Sequence, residues 1–130
     1  MTARPRILVV DDSATARTAL EVILEERFEV HLATDGELGV ALAQRIRPHL
    51  VLMDVVMPVM GGLDACRALR ALPETSATPV IMVTSQGDEW DVEAGYTSGC
   101  ADYVTKPVDR VELMAKVGNW LGTVTEDATA

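Results

Sequence analysis

The 130-residue chain is poor in cysteine, histidine, lysine and aromatic residues, with two Cys, two His, two Lys and five aromatics in all. Cys66 and Cys100 stand 34 positions apart without C-x-x-C spacing or a neighbouring histidine, which excludes a disulfide framework or a zinc site and suits a reducing compartment. His31 and His49 have no ligand spacing and are assigned no role. Eleven basic residues against twenty acidic ones leave a net charge of −9, which excludes a direct nucleic-acid partner reached through the general field. Long hydrophobic runs are missing too. The amino terminus leads into only four apolar residues, Ile7 to Val10, before two aspartates, so neither a signal peptide nor a membrane span fits and a cytoplasmic protein is expected. No repeat or Gly/Ser linker divides the chain. It reads as an N-terminal arm (1–5), one domain (6–122) and a frayed C-terminal tail (123–130).

What the chain does have is a 48% hydrophobic content, enough for a chain of this size to bury roughly two-thirds of its unfolded surface. Apolar runs of strand length fall at Ile7–Val10, Val30–Ala33, Leu50–Met53, Val80–Val83 and Ala101–Val104, mostly without alternation, as for parallel strands covered on both faces. Helical stripes lie between them: Ala16, Ala19, Leu20, Ile23 and Leu24, then Leu38, Ala41, Leu42 and Ile46. A third helix is expected over Leu63–Leu72 and a fourth over about Glu89–Ser98. A fifth should start after Asp109, with Glu112 completing a capping box and Leu113, Met114, Val117, Trp120 and Leu121 as its buried face. Strand–helix alternation predicts an α/β fold with a five-stranded parallel sheet.

Right-handed crossovers bring all strand C-termini to one edge of such a sheet. Asp11 and Asp12 follow the first strand, Asp54 the third, Thr84 the fourth, and Lys106-Pro107 the fifth. Each pair taken alone is an ordinary cap or turn. Together they deliver polar groups from four strands to the edge where α/β sheets bind ligands. Three carboxylates converging there repel, so either one is protonated or a cation sits among them. Oxygen-only ligands favour Mg²⁺. Asp11 and Asp12 face opposite ways along a strand, so one direct and one water-mediated contact is expected. Lys106 would balance the anions or hold a phosphoryl oxygen, and the Thr84 hydroxyl could donate to another. The set suits a carboxylate nucleophile that accepts a phosphoryl group.

Five ordered motifs carry a family resemblance: Val9-Val10-Asp11-Asp12-Ser13, Leu52-Met53-Asp54, Met57-Pro58-Val59-Met60-Gly61-Gly62, Val83-Thr84-Ser85 and Ala101-Asp102-Tyr103-Val104-Thr105-Lys106-Pro107. Over about residues 6–122 the chain resembles the receiver domains of two-component response regulators, especially the single-domain chemotaxis type. The resemblance implies a doubly wound, flavodoxin-like (βα)5 fold with strand order 2-1-3-4-5. It implies Asp54 as phosphoacceptor, Asp12, Asp54 and the Val56 carbonyl as direct Mg²⁺ ligands, and Asp11 acting through water. Thr84 and Lys106 would contact the phosphoryl group, and the Lys106–Pro107 peptide would be cis. Tyr103 would move with Thr84 as a coupled switch that alters partner binding on the face built from helix four, strand five and helix five. The donor implied is the phosphohistidine of a histidine kinase or phosphotransfer protein, and the output a downstream protein target. Monomer and phosphorylation-dependent dimer both stay open, and no output-domain motif is seen after residue 122.

Some residues depart from the pattern. Gly61 takes a place where an acidic or amide residue is common, so a looser loop is expected. Val56 offers the metal only its carbonyl, so Val56 and Gln86 are expected to set the dephosphorylation rate through packing and access. The fourth helix carries Gly87, Gly95 and Gly99, which weaken it, and an acidic run with Trp90 that is either a solvated face or an anchor for a basic partner. Two rival functions fit these residues less well. A hydrolase of the haloacid-dehalogenase type expects an acid two residues after the nucleophile, where this chain has Val56. A scaffold that binds partners without phosphorylation would not need the complete set of residues.

Overall fold

The computed structural model describes residues 4–85 and 92–122. Strands and helices alternate along it as β1 (Arg6–Val10), α1 (Ala14–Leu24), β2 (Glu29–Ala33), α2 (Gly36–Ile46), β3 (Leu50–Asp54), α3 (Gly62–Ala71), β4 (Val80–Ser85), α4 (Val92–Thr97), β5 (Asp102–Lys106) and α5 (Arg110–Leu121). The strands form one parallel sheet in the order β2-β1-β3-β4-β5, the doubly wound arrangement expected from the sequence. Successive strand residues face opposite sides, so one run of apolar residues supplies two cores. Ile7, Val9, Leu50, Leu52, Ile81 and Val83 meet Leu20 and Leu24 of α1 and Leu113, Val117 and Leu121 of α5. Leu8, Val10, Val51, Met53, Val80 and Met82 meet Ala43, Ala65, Cys66 and Leu69 from α2 and α3.

Helix starts follow local capping chemistry. Ser13 accepts from the Ala16 N–H at 3.2 Å, Asp35 from Leu38 at 2.8 Å and Asp109 from Glu112 at 2.8 Å. The buried faces follow the sequence less closely. In α1, Ala19 is exposed, and in α5, Trp120 is 43% exposed. The larger correction is α2. Its expected apolar stripe lies partly outward, with Leu38 53% exposed, while Gly36, Gly39 and Ala43 are buried. A Cβ on Gly39 would come within 2.7 Å of the Val10 side chain, so this helix packs too close to the sheet for a leucine.

Strand ends also differ from the apolar runs. β5 extends to Lys106 because its ladder with β4 continues through Thr84↔Thr105 and Ser85↔Lys106. Backbone pairing, not apolarity, sets that boundary. Asp54, Thr84 and Lys106 are therefore strand residues, held by ladders rather than by loops.

α4 is described over Val92–Thr97, within the range expected from the sequence. Gln86, Gly87, Asp88, Glu89, Trp90 and Asp91 lie outside the described residues. Gly95 is the interior glycine of the described helix, and Gly99, at φ 102°, follows its end. No described helix is long and apolar enough to cross a membrane.

Candidate functional site

The strand registers bring β1, β3, β4 and β5 to one carboxyl-terminal edge. Asp11, Asp12 and Asp54 meet there, each offering a carboxylate oxygen within 4.8 Å of the others. Asp11 is 1% exposed and both of its oxygens are engaged: Oδ1 accepts from the Ser13 N–H at 2.9 Å and Oδ2 from Lys106 Nζ at 3.0 Å. Lys106 Nζ also lies 3.8 Å from Asp54 Oδ2. Asp12 is exposed, so the cluster opens to solvent on its side.

One ammonium among three carboxylates leaves an excess of negative charge. Asp54 registers it: its carboxyl is pushed up from 3.8 to about 6, first by burial and next by the Asp11 charge. Lys106 opposes the rise, Asp12 adds to it, and a hydrogen bond from the Val56 N–H lowers it. For Lys106, burial pulls the ammonium down, but Asp11, Asp54 and Asp12 outweigh burial and hold it above its ordinary range.

The loop after Asp54 is tied down. Gly62 N–H donates to the Val55 carbonyl at 2.9 Å and Met60 N–H to the Pro58 carbonyl at 2.8 Å. A Cβ on Gly62 would lie 2.3 Å from the Asp54 carbonyl, and one on Gly36 would lie 2.5 Å from the Met60 carbonyl. At Gly62 and Gly36 the absent Cβ lets backbone pack on backbone, whereas a Cβ on Gly61, the residue expected to loosen the loop, would lie 3.5 Å from the Val55 carbonyl. Strain is concentrated at Val59, a β-branched residue at φ 70° that is 84% exposed.

Val56, two residues past Asp54, is 60% exposed. Thr84 is buried, with its hydroxyl turned toward β5, donating to the Val104 carbonyl at 3.4 Å and to Thr105 Oγ1 at 3.5 Å. Tyr103 pairs with Met82 in the β4–β5 register, which puts it on the same sheet face as Thr84. The Lys106–Pro107 peptide is cis. Trp90 lies outside the described residues.

Arg17 is a neighbour that the sequence reading missed. Its Nη1 donates to the Asp11 carbonyl at 2.7 Å and braces the β1–α1 turn. A signal existed, since a cation near a helix start opposes the helix dipole and implies an acceptor close by. Chemically, the edge offers buried carboxylate oxygens, an oxygen-only cradle suited to a hard cation, and an ammonium held against them.

The family model described as the response regulator receiver domain matches residues 7–118. The chain belongs to this family. Protein PilH of Pseudomonas aeruginosa is 46% identical over 113 residues, covering 86% of this chain and 93% of PilH. The DNA-binding response regulator MtrA of Mycobacterium tuberculosis is 42% identical over 117 residues, which are 89% of this chain but 50% of MtrA. This receiver chain thus spans about half the length of the MtrA relatives. Among solved structures, chemotaxis protein CheY4 of Vibrio cholerae superposes with a TM-score of 0.84 at 30% identity, covering 90% of this chain and 98% of that one. The receiver domain of sensor histidine kinase PA1611 from Pseudomonas aeruginosa superposes with a TM-score of 0.85 at 34% identity, covering 92% and 99%. That receiver was solved with a magnesium ion coordinated in its active-site cleft. The receiver family serves two-component signalling and is not a class of turnover enzymes.

Proposed function

We propose that this receiver is a Mg²⁺-dependent phosphoacceptor switch in which Asp54 takes a phosphoryl group from a phosphohistidine of a histidine kinase or phosphotransfer protein. The observation that carries the reading is the meeting of three carboxylates within 4.8 Å, with Lys106 3.0 Å from Asp11 and 3.8 Å from Asp54. The donor set fits a hard divalent cation: all ligands are oxygens, and burial, then the Asp11 charge, raise Asp54 to about 6 against the pull of Lys106. Asp12 and Asp54, with the Val56 carbonyl, would hold the ion directly. Asp11 would act through water, since Ser13 and Lys106 already engage its two oxygens. Bound there, Mg²⁺ would neutralise charge on the carboxylates and on the transferring phosphoryl oxygens.

In the transfer, an Asp54 oxygen forms the new P–O bond as the P–N bond to the donor histidine breaks. The imidazole keeps the electron pair and gains a proton. Lys106 can turn from Asp11 toward the incoming phosphoryl oxygens, and the Thr84 hydroxyl can exchange its long bonds to β5 for one to the same group. Tyr103, on the same sheet face, would then change the surface of α4, β5 and α5 that meets a downstream protein target. The proposed setting is the cytoplasm.

The test is labelling with acetyl phosphate and Mg²⁺, followed by intact-mass measurement. One phosphoryl group per chain, lost in Asp54→Ala and on chelation of the metal, is expected. No labelling would favour a phosphorylation-independent scaffold, and rapid turnover of many phosphate esters would favour a hydrolase. A second measurement addresses Val56: decay of the phosphorylated protein should change in Val56→Asn, and an unchanged rate removes that residue from the mechanism.

A further inference from the structure

β5 is an edge strand of five residues, and its two ends meet different groups. Its last residue, Lys106, reaches into the carboxylate cluster. Its first two, Asp102 and Tyr103, are gripped by α5. Lys116 Nζ donates to the Tyr103 carbonyl at 2.6 Å, lies 3.4 Å from Asp102 Oδ1 and stands 5.2 Å from the centre of the Tyr103 ring. One turn further along α5, Trp120 Nε1 donates to Asp102 Oδ2 at 3.3 Å. Asp102 Oδ1 in turn accepts the Tyr103 N–H at 2.8 Å. The chain has two lysines, and they hold opposite ends of this one strand.

The geometry points to Lys116 and Trp120 as a latch on β5 that restrains Tyr103 and is loosened when the carboxylate pocket is filled. This deepens the phosphoacceptor reading and rests on it. A phosphoryl group on Asp54 gives Lys106 and Thr84 a new partner, so the far end of β5 is pulled while Lys116 holds the near end. The ring, the carbonyl and the Asp102 carboxylate share one ammonium, so moving Tyr103 strains three contacts together. Linkage makes the coupling reciprocal: if filling the pocket weakens the latch, removing the latch must tighten the pocket by the same factor. Lys116 is therefore a positioning residue, not one that touches the phosphoryl group.

The test titrates the full chain with beryllofluoride, a phosphoryl mimic, at saturating Mg²⁺. Lys116→Met keeps the aliphatic stem and removes the charge; it should bind the mimic about three-fold more tightly, the effect of losing a partly exposed cation–π contact. Lys116→Arg should restore parental affinity, which a mere packing role would not require. In the parent, the Trp120 indole N–H resonance, assigned by its loss in Trp120→Phe, should shift as the pocket fills. Asp102→Asn provides a second variant, expected to tighten binding in the same direction. An unchanged affinity in both Lys116→Met and Asp102→Asn, or a Trp120 resonance indifferent to saturation, overturns the latch alone. A parent that takes up no beryllofluoride overturns the latch and the phosphoacceptor reading together.

Discussion

The two faces of the sheet are packed by different means. On one, Leu20, Leu24, Leu113, Val117 and Leu121 interpose large side chains between α1, α5 and the strands. On the other, Gly36 and Gly39 of α2 and Gly62 of α3 come close enough that a single added carbon would collide, with the Met60 carbonyl, the Val10 side chain and the Asp54 carbonyl respectively. The first face can lose atoms and keep its geometry at a cost in stability. The second can lose geometry for the sake of one methyl group, and the Asp54 backbone and the loop after it are packed on that side, although the Asp54 side chain alternates onto the face of Leu50 and Leu52. Bulk packing and the seating of the backbone that carries Asp54 are thus held by different faces.

Truncation on the leucine face should show the largest loss of stability. Leu113→Ala is expected to destabilise by about 2–5 kcal/mol in urea unfolding while phosphorylation by acetyl phosphate persists below the new midpoint. Loss of labelling in the folded variant would break the division between the faces. On the glycine face, Gly62→Ala should cost about 1–3 kcal/mol through overpacking and also impair Mg²⁺ binding, because the added carbon displaces the Asp54 backbone. Calorimetric titration with Mg²⁺ checks this, and unchanged affinity would show that the close contact does not set the site.

The acidic cluster gives a pH signature. Asp54 titrates at about 6 in the fold against 3.8 ordinarily, so the folded state holds the proton more tightly. Metal-free stability should therefore fall as pH rises from about 4 to about 6 and level off above, by on the order of 1–3 kcal/mol from this group. Asp54→Asn should flatten that slope and raise metal-free stability at pH 7, both read by denaturant midpoints across the pH range. A slope that survives the substitution would place the excess charge elsewhere. The smallest expected effect is at Val59: Val59→Asn should relieve backbone strain and stabilise by about 1 kcal/mol, since the side chain is 84% exposed and buries little. A lower midpoint in this variant would mean that Val59 is held by contacts rather than strained.

The site residues were legible because their chemistry is local to strand ends. Asp11, Asp12, Asp54, Thr84 and Lys106 could be placed on one edge from strand count and crossover handedness alone. The face of α2 was not legible. Leu38 and Leu42 give a correct amphipathic period, but period does not say how close a helix can approach, and Gly39 allows a closer seat than a leucine would. The last residue of β5 was missed for a related reason: Thr105 and Lys106 are polar, yet their backbones pair with Thr84 and Ser85. Trp120 looked like a core residue from its spacing, whereas its indole N–H has a carboxylate partner on β5.

By itself, then, the order of residues determined the strand and helix alternation and which side chains are available at the carboxyl edge, because each follows from short-range periodicity and the chirality of the chain. Tertiary structure alone decided the tight seat of α2, the engagement of both Asp11 oxygens, the strain at Val59 and the grip of α5 on Tyr103. Those depend on distances between segments far apart in sequence, which are fixed only when two surfaces meet and their shapes must fit.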